Sequence, residues 1–126
     1  MPWAQSVERM RGRDDAGMVT LEIALAIPVL LAVTLAFVHL TNVVRLEAMA
    51  QDAARAAARE LARGVDRREA SRVAQRILPA ATVNSSVSGA EARVTVTKVV
   101  TGPAPLLDRL KHRVSARAVS ALEPPP

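Results

Sequence analysis

Hydrophobic and polar positions divide the chain into successive regimes. Residues 1–17, MPWAQSVERMRGRDDAG, are polar, include Gly12 and Gly17, and show no apolar periodicity. They read as a disordered leader. From Ile23 to Leu40 the chain runs for 18 residues, IALAIPVLLAVTLAFVHL, without Asp, Glu, Lys or Arg. A run of that length covers a hydrocarbon core about 30 Å thick and predicts a membrane-spanning helix, here placed over residues 18–41. Pro28 lies inside it. Proline removes one backbone donor and crowds the carbonyl of Ala24, which predicts a kink that membrane helices tolerate.

The helical pattern does not stop at the end of the apolar run. Leu46, Met49, Ala50, Ala53, Ala54, Ala57 and Leu61 recur at intervals of three and four, a stripe on a 3.6-residue period. Glu47, Asp52, Arg55, Arg59 and Arg63 fall off the stripe. No breaker separates this segment from the span, and Gly64 is a natural C-terminal stop. One helix of about 70 Å from Met18 to Arg63 is therefore expected, its half over residues 42–63 standing outside the membrane. Asp66 and Glu69 have capping-box spacing at the start of a second helix that runs to about Leu78, before Pro79.

Beyond Pro79 the period changes to two. Thr82–Val87 reads as a weak strand, Ser88-Gly89 as a turn, and Glu91–Thr101 as a β-branched alternating strand. Ala92, Val94 and Val96 share one of its faces, opposite Arg93, Thr95 and Thr97. Gly102-Pro103-Ala104-Pro105 forces a loop. Leu106, Leu107 and Leu110 are expected to pack over the end of the sheet. His112–Leu122 alternates again, and residues 123–126 read as a frayed tail. The expected fold is α+β: a long N-terminal helix, a second short helix, and a small antiparallel sheet of about three strands, the last two forming one domain over residues 64–122.

Composition narrows the function. Of 126 residues, 50% are hydrophobic, yet the chain has one Trp, one Phe and no Tyr, so it lacks the aromatic anchors of hot-spot interfaces and the stacking platforms of single-strand nucleic-acid binders. The net charge of +5 lies wholly beyond the leader, where Arg9, Arg11 and Arg13 cancel Glu8, Asp14 and Asp15. Most of the arginines are spaced along helices, which reads as a solvated face. A weaker reading makes Arg63, Arg67, Arg68, Arg72 and Arg76 an anion-binding surface; no nucleic-acid partner is expected. Cysteine is absent, which excludes disulfides and thiolate chemistry. His39 and His112 have no spacing to a nucleophile and acid, and no phosphate loop, HExxH or paired-carboxylate motif occurs. The chain reads as no enzyme, without metal or cofactor.

One polar residue interrupts the apolar tract. Glu22 follows Gly17 at the fifth position, in Gly17-Met18-Val19-Thr20-Leu21-Glu22. An ionised acid at a bilayer centre costs about 2.5–3.5 kcal/mol on insertion scales and less near the interface, so it invites a named partner. The stretch resembles the processing site of type IV prepilins, in which a peptidase cuts after a glycine and leaves glutamate at the fifth mature position. Cleavage between Gly17 and Met18 would free a cationic amine one helical turn from a carboxylate. A secretory signal fits poorly, because Ala24-Leu25-Ala26 lies within the apolar stretch instead of after it. The three leader arginines favour a cytoplasmic N-terminus and an extracytoplasmic C-terminal domain.

Taken together, RDDAGMVTLEIALAIPVLLAV, QDAARAAARELARG and the terminal VSARAVSALE resemble the TadE family, pilin-like minor subunits of the tight-adherence (Flp) pilus, in particular its actinobacterial type. The resemblance covers most of residues 13–123, and GMVTLE and DAARAAARELARG are its most specific parts. It implies Gly17 as the cleavage residue, Met18 as the mature N-terminus and Glu22 as the processing and assembly glutamate. It also implies a prepilin peptidase, other pilin subunits and the pilus assembly platform as partners. Unlike a major Flp pilin, this chain continues into a globular part, which suits a minor or initiating subunit. The competing reading is an uncleaved, single-pass, membrane-anchored interaction or secretion-accessory protein.

Overall fold

The computed structural model describes residues 2–102, 105 and 108–124, and in residues 2–11 and 13 the backbone only. Two helices and three strands follow in order: α1 (Pro2–Ala62), α2 (Arg67–Ile77), β1 (Thr82–Ser88), β2 (Glu91–Val100) and β3 (His112–Ala121). This is the α+β arrangement expected. The chain divides into two compact units, one up to Val38 and one from His39 onward.

In the first unit α1 begins at Pro2, so residues 2–17 are helical and not disordered. The reason is local. Proline is at home in a first helical turn, where its missing N–H would be unpaired anyway, and Ala4, Gln5, Glu8, Arg9, Met10 and Arg11 are good helix formers. Gly12 and Gly17 each cost about 1 kcal/mol against alanine, which flanking helix absorbs. The helix assignment also passes through Pro28 without a break.

The second unit is a two-layer sandwich of helix on sheet. The strands lie in the order β1-β2-β3, antiparallel throughout. Ser88 pairs with Glu91, so Gly89 and Ala90 form a two-residue hairpin loop; Gly89 takes a positive φ of 58° at its first position. The register sets Val94 between Ser85 and Ala118, and Val96 between Val83 and Ala116. As the alternation requires, Ala92, Val94 and Val96 are buried. Against them lies the expected stripe of α1, with Ala50, Ala53, Ala54, Ala57 and Leu61 buried and Leu46 and Met49 partly so. Ala58 and Ala62 join it, which widens the stripe. The core they form is built mostly of alanine and valine, with Leu78 the one leucine among the described residues buried to 0% exposure. Ala70 and Ala74 of α2 and Leu78, the residue that caps its end, join the cluster.

Caps and ends differ in detail from the sequence reading. At the end of α1 the Gly64 N–H donates to Leu61 O at 3.1 Å and the Val65 N–H to Glu60 O at 3.2 Å, with Gly64 at φ 88°. That pair of bonds is a Schellman motif, and the glycine stop is where it was expected. Asp66 makes no side-chain capping bond. Glu69 instead meets Arg72 at 3.2 Å and Arg76 at 3.3 Å, because α2 sets both guanidiniums within its reach. Glu123 is held rather than frayed: its N–H donates to Ala62 O at 3.0 Å, satisfying a carbonyl that the helix end leaves without an intrahelical partner. Leu110 is 58% exposed and does not cover the sheet, while Leu106 and Leu107 lie outside the described residues.

Candidate functional site

The predicted processing residues fall on one stretch of α1. Met18 and Glu22 are one turn apart, about 6 Å along the axis and on one face. Met18 is 70% exposed and Glu22 is exposed. Among the described residues Glu22 has no ion pair and no hydrogen bond. The Thr20 hydroxyl donates to Ala16 O at 2.9 Å, a bond that straddles the Gly17–Met18 junction. A Cβ built on Gly17 meets nothing within 4 Å. The chain's own packing therefore gives no reason for glycine there. Gly12 is equally open, so openness alone marks no site. What separates Gly17 is its position five residues before Glu22.

Downstream, the helix is apolar all round. Leu21, Ile23, Leu25, Ile27, Val29, Leu30, Leu31, Val33 and Phe37 are all exposed. A helix with no polar side belongs in a lipid or protein interior. Among the described residues α1 holds the one segment long and apolar enough to cross a membrane, and none of that segment is buried within the chain. Between Ile23 and Leu40 the one hydroxyl, on Thr34, donates to Leu30 O at 2.8 Å, so its hydrogen is paired in an apolar setting. The sequence reading passed over Thr20 and Thr34. A threonine within an apolar helical run, four residues after a free lone pair, is the signal that finds them.

The arginine face is divided. Arg63 lies 3.4 Å from Glu60 and 3.8 Å from Glu123, and Arg72 and Arg76 share Glu69. Among the described residues Arg67 and Arg68 have no acidic partner. Exposed pairs of this kind are worth about 0–1 kcal/mol each, so they describe a solvated helix side more than a built anion site. His112 Nε2 lies 3.8 Å from Glu47. His39, half-buried, and His112 line one surface concavity, and among the described residues no group of three or more His, Asp or Glu side chains comes together to hold a metal.

No curated protein and no solved structure matches the chain. A profile of the TadE family, described as TadE-like protein, matches residues 17–59. The match opens on Gly17, leaves residues 1–16 outside, and runs through the apolar helix into the alanine- and arginine-rich part of α1. It points to a membrane protein associated with the tight-adherence pilus. Across residues 17–59, from the glycine before Met18 to Arg59, this chain is similar to TadE-like proteins.

Proposed function

We propose that the chain is a minor pilin-like subunit of a tight-adherence pilus or a related secretion system, cut by a prepilin peptidase between Gly17 and Met18 and assembled through α1. Its role is structural and not catalytic. Its partners are the peptidase, other pilin subunits and the assembly platform, and before assembly it spans the cytoplasmic membrane once with its N-terminus inside. The observation that carries this reading is Glu22: a carboxylate with no partner among the described residues, on an exposed apolar helix, one turn from the residue that cleavage would make the N-terminus.

The chemistry fits in sequence. Two glycines weaken the helix around the junction by about 1 kcal/mol each relative to alanine, which favours local opening for a protease. Gly17 offers a side-chain-free approach to the scissile peptide. Hydrolysis places an ammonium at the N-terminal end of the remaining helix, and Glu22 sits on its face. In an apolar environment each charge is costly alone, and a pair formed with the amine of this chain or of a neighbouring subunit offsets that cost. Small residues at Ala24, Ala32 and Ala36 then allow close van der Waals contact between spans.

Co-expression with a prepilin peptidase and N-terminal sequencing of the membrane form test the reading. The mature chain is expected to begin at Met18. A Cβ at Gly17 meets nothing within 4 Å, so Gly17→Trp is expected to leave the helix intact and block cleavage. A mature chain that keeps residues 1–17 in the presence of active peptidase leaves the uncleaved anchor as the correct reading.

A further inference from the structure

The second unit brings two distant stretches together at the start of its helix. His39, Leu40 and Val43 of α1 and Leu110, Lys111 and His112 from the segment before β3 line one surface concavity of about 410 Å³. Its wall is mostly apolar. Leu40 is the last residue of the apolar run, and Leu110, 58% exposed, covers no part of the core. Around Leu110 the chain reads Asp108-Arg109-Leu110-Lys111-His112-Arg113, with three permanent cations against one acid and all six side chains exposed. Glu47, 3.8 Å from His112, is the acid on the opposite wall.

We propose that residues 108–113 form a membrane-surface contact for anionic phospholipid headgroups on the side of the bilayer where the C-terminal domain lies. The inference rests on the reading of α1 as a span. If the apolar run fills the hydrocarbon core, Leu40 sits at its edge, and whatever packs beside Leu40 and Val43 sits at headgroup level. There Leu110 can enter the apolar boundary while Arg109, Lys111 and Arg113 lay their stems along it and hold their charges among phosphates. Each cation near an anionic surface contributes about 1 kcal/mol, so the charges add to the contact that the single leucine makes. Continuity with the end of the span and the excess of positive charge favour lipid over a protein occupant, which a shallow, charged and aromatic-free surface suits less well. The contact would fix the height of the domain above the bilayer.

The absence of cysteine makes single-cysteine labelling clean. The full chain is reconstituted in phosphatidylcholine vesicles with or without phosphatidylglycerol, with a polarity-sensitive dye on Leu110→Cys or, to avoid replacing the leucine, on Asp108→Cys. Leu31→Cys serves as the mid-span control and Val119→Cys, on the outer sheet face, as the water control. Nitroxide lipids are expected to quench position 31 from deep labels and positions 108 and 110 from headgroup labels, more strongly with phosphatidylglycerol, and to spare position 119. Charge reversal at Lys111 (Lys111→Glu) is expected to lower the ratio of seated to lifted segment at least about fivefold in anionic vesicles. Quenching at 31 with positions 108 and 110 behaving like 119 overturns the surface contact and leaves the span standing. Quenching at 110 that ignores phosphatidylglycerol overturns the headgroup part. No quenching at 31 overturns the span itself and the contact with it.

Discussion

Glu22 is the residue whose surroundings ask most of an outside partner. Among the described residues nothing answers its charge, while exposed apolar side chains occupy the positions around it. Glu22→Gln keeps size and removes charge, so it separates the two roles the residue is given. The expected result is a chain still inserted in the membrane, in yield equal to or above wild type, that no longer crosslinks to other pilin subunits. The measurement is crosslinking of membrane fractions beside a carbonate-extraction control, and unchanged crosslinking removes Glu22 from assembly. A second residue is special for its own backbone. Gly64 holds φ 88°, where an L side chain is strained, and its Cβ position is otherwise open. Gly64→Ala is therefore expected to cost about 1–2 kcal/mol from the backbone alone, read as a lowered Tm of the purified chain in micelles. An unchanged Tm means the Schellman end is not what stops α1.

Among the elements, α1 does two unlike jobs with one helical period. From Ile23 to Leu40 it shows apolar side chains on every side; from Ala50 it keeps an alanine stripe for the sheet and turns arginines outward. The buried stripe is mostly alanine, and Val94, Val96 and Val114 are among the largest fully buried side chains. Ala57 is 0% exposed in that stripe. Ala57→Leu is expected to destabilise the domain by about 1–3 kcal/mol through overpacking, although it raises hydrophobicity and helix propensity stays near that of alanine. Thermal unfolding followed by circular dichroism measures it, and a gain in Tm means the helix–sheet contact is loose. The same element shows where short-range rules mislead. Asp66 and Glu69 have the spacing of a capping box, but Glu69 is taken by Arg72 and Arg76, whose guanidiniums present more donors than one backbone N–H.

As a whole molecule the chain couples an unburied apolar helix to a small α+β domain, and the first decides where the second lives. With one candidate span among the described residues, its most apolar stretch unburied, the full protein is expected in the membrane fraction, resistant to carbonate and released by detergent; recovery in the soluble fraction counts against the anchor. What the residues determined by themselves is everything that depends on neighbours a few positions away: the apolar run from Ile23 to Leu40, the three-and-four stripe that ends at Leu61, the glycine stop at Gly64, the alternation of Ala92, Val94 and Val96, and the five-residue step from Gly17 to Glu22. Helix and strand periods, turn glycines and the spacing of Gly17 and Glu22 are local properties, so they are written in local order. Only the folded chain decided that Ala58 and Ala62 join the core, that Glu123 ties back to Ala62, and that Leu110, Lys111 and His112 return beside Leu40 and Val43. Those contacts join residues dozens of positions apart, and their partners are selected by the closing of the helix on the sheet, a cooperative packing event that no window of sequence contains.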